Sequence, residues 1–203
     1  MYNENRINRL LDYKNLLNQL KTLGFIKVFS DNIADALGIS SSLVRKDFSI
    51  FGIAGSQKGG YEIDSVLLKI DRILGRDEVQ KIIVVGVGRI GEALMYYKAF
   101  PQEGLQVVAG FDIDPSKIDE QAEIPVYSIN KLPEYVTRYD IRFAILAVPE
   151  IAAQQTIELL KKQRIQGILN FTALNVKDSM ETTIVHINIL HELSRLIYLV
   201  NND

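Results

Sequence analysis

Gly86, Gly88 and Gly91 stand at G-x-G-x-x-G spacing, directly after the apolar run Lys81–Val85 and directly before a helical pattern. In a dinucleotide site the first glycine makes a tight turn and the second lets a diphosphate come up to bare backbone. The third lets the following helix pack closely on the strand, and the helix start offers N–H groups and a partial positive charge to the phosphates. Val87, Arg89 and Ile90 share that loop. Asp112, with Ile113 beside it, closes a second apolar strand, Leu105–Phe111, twenty-one residues beyond Gly91. A carboxylate there meets the adenosine ribose hydroxyls and repels a 2′-phosphate, which favours NAD(H) over NADP(H). Asp112 also reads as a turn residue beside Asp114-Pro115, and Arg89 as either a phosphate partner or a solvated cation.

A second chemistry is written earlier in the chain. Ala34, Gly38 and Val44 fall at the A-x3-G-x5-V spacing of a helix-turn-helix: a small residue where two helices cross, a glycine in the turn, and an apolar anchor. Ser30 is the expected N-cap of the first helix of the pair. Ser40, Ser41 and Ser42 cap the second, and their hydroxyls suit phosphate, while Arg45, with Lys46 next to it, suits a guanine edge. An ordinary helical pair with two solvated cations would show the same residues. The glycine-punctuated stretch Phe51–Tyr61 reads as a β-hairpin with Lys58 at its tip and Tyr61 packing at its base. A helix-turn-helix followed by such a hairpin is a winged helix, whose wing lies along the sugar-phosphate backbone of double-stranded DNA.

The elements that must hold these groups follow from periodicity. Ile7, Leu10, Leu11, Leu17, Leu20 and Leu23 recur at helical spacing before Gly24. A further amphipathic helix covers Asp64–Leu74, stopped by Gly75. Residues 1–77 therefore read as a winged-helix DNA-binding domain. From 78 to 183 strands alternate with helices: strands at 81–85, 105–111, 124–127, 141–148 and 167–171, helices at 132–139 and 151–164. That alternation means a Rossmann-type parallel sheet with right-handed crossovers, whose ligands bind beyond the carboxyl ends of the strands. Ala147-Val148-Pro149 and Asn170-Phe171-Thr172 stand at such ends and are candidates for the nicotinamide half, although ordinary strand ends look the same. Residues 184–203 form a last strand and helix, apolar around much of its circumference from Ile189 to Val200, which calls for a second subunit. His186 and His191 read as satisfied interface residues.

Composition removes several classes of function. There is no cysteine, hence no disulfide, thiolate catalysis or cysteine metal site, and two histidines are too few for a zinc site without nearby carboxylates. No apolar run approaches the roughly 18–20 residues of a membrane span, and the Asn- and Arg-rich start is not signal-like, so a cytoplasmic protein is expected. Residues 1–75 carry a net +2 and the remainder −4, a charge balance that permits nucleic-acid contact at one end. A small NAD-dependent oxidoreductase would need a proton-transfer group and a substrate domain, and neither is evident. A nucleotide- or CoA-binding subunit would share the sheet but has no use for a winged helix.

In this order the chain resembles the Rex family of redox-sensing transcriptional repressors. The resemblance rests on Ala34–Ile39, Val44–Gly52, Gly60-Tyr61, Phe111–Pro115, Ile124–Tyr127, Ala147–Pro149 and Gly167–Phe171. It implies a cytoplasmic homodimer that is not an enzyme. Such a repressor binds a palindromic operator when NADH is scarce and releases it when NADH binds, and its C-terminal helix is swapped between subunits. By match, Arg45 and Lys46 contact DNA, the three glycines hold the pyrophosphate, Asp112 the adenosine ribose, and Tyr97 lies near the nicotinamide. The chain departs from the family pattern in three places. Its wing carries one cation where the family has Gly-Lys-Arg-Gly. Neutral Asn15 and Asn188 stand where the family has an arginine and an aspartate that pair across the dimer.

Overall fold

The computed structural model describes residues 4–55 and 59–202, and its contacts fall into two units, Met1–Glu78 and Val79–Asp203. In the first, α1 (Glu4–Thr22), α2 (Ser30–Leu37), α3 (Ser41–Ile50) and α4 (Ile63–Ile73) surround one core. Leu10, Tyr13 and Leu17 of α1 meet Ile33, Val44, Phe48, Ile63 and Ile70 there, all essentially inaccessible to solvent. Leu23, grouped with that stripe in the sequence reading, lies past the end of α1 at Thr22 and is exposed. The helix-turn-helix forms as its spacing requires. Ala34 is buried at the crossing, and Gly38 takes the left-handed conformation at φ 64°. The Ser40 hydroxyl accepts the Leu43 N–H at 3.3 Å to cap α3.

Two local expectations are corrected. Ser30 is the first residue of α2 and not its cap: the Asn32 amide oxygen accepts the Phe29 N–H at 3.2 Å, while the Ser30 hydroxyl accepts from Arg45 Nη1 at 2.9 Å. The arginine reaching over from α3 claims the oxygen that a cap would use. The hairpin expected across Phe51–Tyr61 is absent among the described residues. Instead β1 (Lys27–Val28), between α1 and α2, pairs antiparallel with β2 (Tyr61–Glu62). Gly60 sits so close to β1 that a Cβ there would lie 2.7 Å from the Val28 carbonyl oxygen, and the Tyr61 ring packs edge-on to Phe48 at 4.8 Å. The ladder is thus taken by β1, and residues 53–55 are coil. Lys58 lies outside the described residues.

The second unit is a six-stranded parallel sheet of β3 (Gln80–Val85), β4 (Leu105–Asp112), β5 (Val126–Ser128), β6 (Phe143–Leu146), β7 (Gly167–Asn170) and β8 (Thr183–His186), in the order β5-β4-β3-β6-β7-β8. Between β3 and β4 lie α5 (Arg89–Met95) and a short α6 (Ala99–Gln102); α7 (Leu132–Tyr139) and α8 (Glu150–Lys162) make the next crossovers. Ile83 and Val85 face a core with Leu132, Val136, Ile157 and Leu160, whereas Ile82 and Val84 face the other way, toward Met95 and Val107. A strand buried on both faces explains the unbroken apolar run that marks it in the sequence. β6 is shorter than expected, because the Ile141 N–H bonds back to Val136 to close α7 and the chain leaves the sheet after Leu146. No helix among the described residues is long and apolar enough to cross a membrane.

α3 is fastened by a carboxylate. Asp47, 1% exposed, accepts Arg9 Nε at 2.7 Å, Arg9 Nη2 at 2.9 Å and the Tyr13 hydroxyl at 2.9 Å, with Arg6 Nε at 3.5 Å. Burial pushes this carboxyl upward. The hydrogen bonds from Arg9 and Tyr13, together with the charges of Arg9 and Arg6, outweigh it and leave the group below its ordinary value. The Tyr13 hydroxyl is pushed up, first by burial and then by Asp47. A depressed carboxylate contributes stability that is complete above the unfolded value of about 3.9 and is lost as pH falls through the lower folded value. Asp47→Asn takes a charged acceptor from the partly exposed Arg6 and Arg9 and from the buried Tyr13 hydroxyl, and should cost about 1–3 kcal/mol. Amide hydrogen exchange in residues 4–55 of the full chain checks both expectations. Wild type should lose protection below about pH 4, and the variant should be weaker at neutral pH and flatter on acidification.

Candidate functional site

The sheet order reverses between β3 and β6, so the loops leaving these neighbouring strands diverge and open a crevice at their carboxyl ends. The first of these loops is the glycine stretch. Gly86 continues the ladder by donating to Phe111 at 2.8 Å, then turns at φ 92°, and a Cβ on it would lie 2.6 Å from the Ala147 carbonyl oxygen. Gly91, buried in α5, lies against the same turn: a Cβ there would come within 1.9 Å of the Gly86 carbonyl oxygen. Gly88 differs from both. Its φ of −81° suits any residue, and a Cβ would meet nothing within 4 Å. Among the described residues nothing requires a glycine at this position, which opens on the crevice.

The crevice holds a cavity of about 580 Å³. Of the expected cofactor residues, Gly86, Gly88, Arg89, Ile90, Asp112, Ile113, Ala147, Val148 and Pro149 line it. Val87 and Gly91 lie beneath, buried in the loop and in α5. Asp112 is committed on one side to the loop, its Oδ2 accepting the Val87 N–H at 2.7 Å and its Oδ1 the Asp114 N–H at 2.9 Å. The rim also includes Asp114, whose carboxyl is held below its ordinary value by the Ser116 N–H, then by the Ser116 hydroxyl, with the charge of Lys117 adding to them. Sequence reasoning missed Lys117, Ile129, Ala152 and Thr156 of this lining. The sequence cue for Lys117 was Asp114-Pro115, which starts a single 3-10 turn that returns the lysine to the cavity.

Four expected residues stand elsewhere. Asn170 is fully buried and its amide is saturated. Nδ2 donates to the Leu174 carbonyl at 2.9 Å and to His186 Nδ1 at 3.0 Å, while Oδ1 accepts the N–H and hydroxyl of Thr172. His186 then donates from Nε2 to the Val176 carbonyl at 2.9 Å, so this histidine is satisfied within its own chain. Phe171 packs beside Phe143 and Leu169 on the α5 side of the sheet. Tyr97 is exposed, edge-on to Phe100 at 5.0 Å. The last helix, α9 (Ile189–Asn201), has no buried residue at all. Ile189, Leu190, Leu193, Leu196, Ile197, Tyr198, Leu199 and Val200 are each 47–74% exposed, and the Asn188 side chain caps the helix by accepting the His191 N–H at 2.9 Å.

In the other unit, Ser40, Ser42, Arg45 and Lys46 are exposed on one surface and Ser41 partly so, with Ser40 and Ser42 hydroxyls 3.0 Å apart. Arg45 is steadied by Ser30 and by Asp31 at 3.7 Å, yet its side chain remains 54% exposed. The surface is polar and cationic, with its apolar anchors Val44 and Phe48 turned inward.

Two family models match: a CoA binding domain over residues 77–174 and a putative DNA-binding protein N-terminus over residues 4–49. Curated relatives extend over almost the whole chain. The redox-sensing transcriptional repressor Rex of Listeria welshimeri is 33% identical over 195 residues, 96% of this chain and 91% of that protein. Rex of Oenococcus oeni is 35% identical over 200 residues, 96% and 90% of the two chains. Among solved structures, that of RSP in complex with beta-NAD+ and operator DNA superposes with a TM-score of 0.93 at 25% identity, covering 99% of this chain and 93% of that one. That of RSP in complex with beta-NADH gives 0.88 at 25% identity, covering 99% and 95%.

The geometry makes Gly91 the least replaceable position of the loop. Gly91→Ala should destabilise the second unit by about 1–3 kcal/mol or more, since the added methyl meets backbone and not a side chain that can swing aside. Gly88→Ala should leave stability within about 0.5 kcal/mol, the usual range for substitutions that meet no neighbour. Urea midpoints of the two variants check the contrast, and equal losses would refute it.

Proposed function

The chain belongs to the Rex family of redox-sensing transcriptional repressors, and from that premise we propose that it binds NAD(H) in the β3/β6 crevice and a palindromic operator through α3. The observation that carries the cofactor half is Gly88, a glycine with neither strain nor neighbour beside a cavity, which suits a diphosphate resting on bare backbone. In this reading Gly86, Val87, Gly88, Arg89, Ile90 and Gly91 form the diphosphate loop. Asp112 and Ile113 hold the adenosine, and Ala147, Val148 and Pro149 the nicotinamide end. Ser40, Ser41, Ser42, Arg45 and Lys46 form the DNA surface, with Lys58 of the wing along the backbone. Residues 1–77 serve as the DNA-binding domain, 78–183 as the dinucleotide domain, and 184–203 as a segment exchanged between two subunits in the cytoplasm. The dimer is supported by α9, whose apolar residues find no cover among the described residues.

Bound NADH favours a dimer whose two reading heads are misplaced for successive major grooves. A ligand shifts such an equilibrium only by its differential affinity for the two states, about 1–3 kcal/mol for common switches. Anisotropy titration of labelled operator at fixed salt, with NADH and separately with NAD+, should show NADH weakening the complex roughly 5–150-fold. Unchanged affinity would remove the switch. Arg45→Ala should cost about 1–3 kcal/mol and relax sequence preference, as expected for a base contact. Uniform weakening on all sequences would reassign Arg45 to phosphate.

The match to a CoA binding domain favours one second reading, a CoA-responsive repressor. CoA carries a phosphate on its adenosine ribose, where Asp112 presents a carboxylate. Calorimetry with NADH and with CoA separates the two, and tighter binding of CoA would overturn the proposal.

A further inference from the structure

The peptide groups on either side of Val87 are pinned at two points. Its N–H is given to Asp112 Oδ2 at 2.7 Å, and its carbonyl oxygen accepts from Lys117 Nζ at 2.5 Å. The Val87 side chain is itself buried, 7% exposed, among Val84, Met95 and Val107. The carbonyl of Val87 and the N–H of Gly88 belong to one planar trans peptide unit and point in opposite directions. Fixing the oxygen therefore fixes the direction of the Gly88 N–H. A glycine at 88 imposes no backbone preference of its own on that unit, so its orientation has to be set from outside.

We propose that Lys117 is a positioning residue for the diphosphate loop: by holding the Val87 carbonyl it keeps the Val87–Gly88 peptide from turning over. Unpinned, that peptide can present a carbonyl oxygen to an anionic diphosphate where it should present an N–H. The assignment rests on the dinucleotide reading above and adds to it a residue that lies outside the glycine motif, on the 3-10 turn after β4. Asp112 then has two tasks, since the carboxylate that faces the adenosine ribose also anchors the other side of the same residue. The clamp closes from one segment: Asp112, the Asp114 turn and Lys117 lie within six consecutive residues and hold the loop after β3 from the neighbouring strand.

The test is isothermal titration of NADH and NADPH into the full-length protein as wild type, Lys117→Met and Lys117→Arg, with urea midpoints and ligand-free operator affinity measured alongside. Losing one charge-assisted hydrogen bond that orients the loop should weaken NADH binding roughly tenfold in Lys117→Met. Lys117→Arg, which keeps a cationic donor, should restore most of it. The NADPH-to-NADH ratio, the urea midpoint and operator binding without ligand should stay as in wild type. Unchanged NADH affinity in Lys117→Met overturns the proposal. Selective loss of NADPH also overturns it, by placing Lys117 on the ribose. Wild-type protein that binds no NADH fails the dinucleotide reading itself, a result recognisable before any variant is compared.

Discussion

The start of α5 lies directly on the peptide of Gly86, at a separation that leaves 1.9 Å between a Cβ on Gly91 and the Gly86 carbonyl oxygen. That approach decides the rest of the second unit. It brings the helix down onto the end of β3, and the turn it abuts is pressed in turn against Ala147 at the end of β6. Two adjacent strands thereby release their chains at one level and in diverging directions. The cavity between them follows from this packing, and needs no separate device to open it. Val85 and Phe111 floor it, and both are buried because the sheet is covered on both sides beneath them.

What could be read beforehand was what is local in the chain. The glycine spacing, the carboxylate closing β4, and the alternation of apolar strands with amphipathic helices each reside within one or two elements, and they led to the parallel sheet. Residues brought in by the crossovers were not legible. Ala152 and Thr156 reach the cavity from α8, and Ile129 from the 3-10 turn after β5. No spacing links these positions to the glycines. Asn170 failed as a cavity residue for a related reason: a strand-end position says where a side chain starts, and only the fold shows that Leu174, Thr172 and His186 consume its amide.

The first unit shows the same boundary between local and distant. Gly38 and Val44 are placed by spacing alone. Asp47 had a signal that was passed over, since it sits three residues after Val44 and beside Phe48, on the apolar stripe of α3, where a carboxylate needs partners. Arg9 and Tyr13, one helical turn apart on α1, supply them. The strand pairing at the base of the wing was misread for the opposite reason. The wing's glycines announce turns truthfully but carry no information about which strand pairs with which, and a two-residue strand 33 residues upstream of Tyr61 took the ladder.

α9 poses the coupling problem most sharply. Thirteen residues are marginal as an isolated helix, and this one has no buried side chain to hold it. Its beginning is nonetheless well defined: the Asn188 side chain caps it, and the strand before it is tied to β7 through the His186–Asn170 hydrogen bond. An aspartate at 188 would cap equally well, so the neutral amide takes nothing from the start of the helix. What it takes away is a charge that could pair with a cation on another chain, and Asn15, exposed on α1, offers no cation in return. In a dimer that covers α9, apolar burial of this helix would carry more of any preference for one arrangement, and a charge pair between positions 15 and 188 would carry none. Apolar burial responds weakly to salt, whereas any contact of an exposed cation with a polyanion responds strongly.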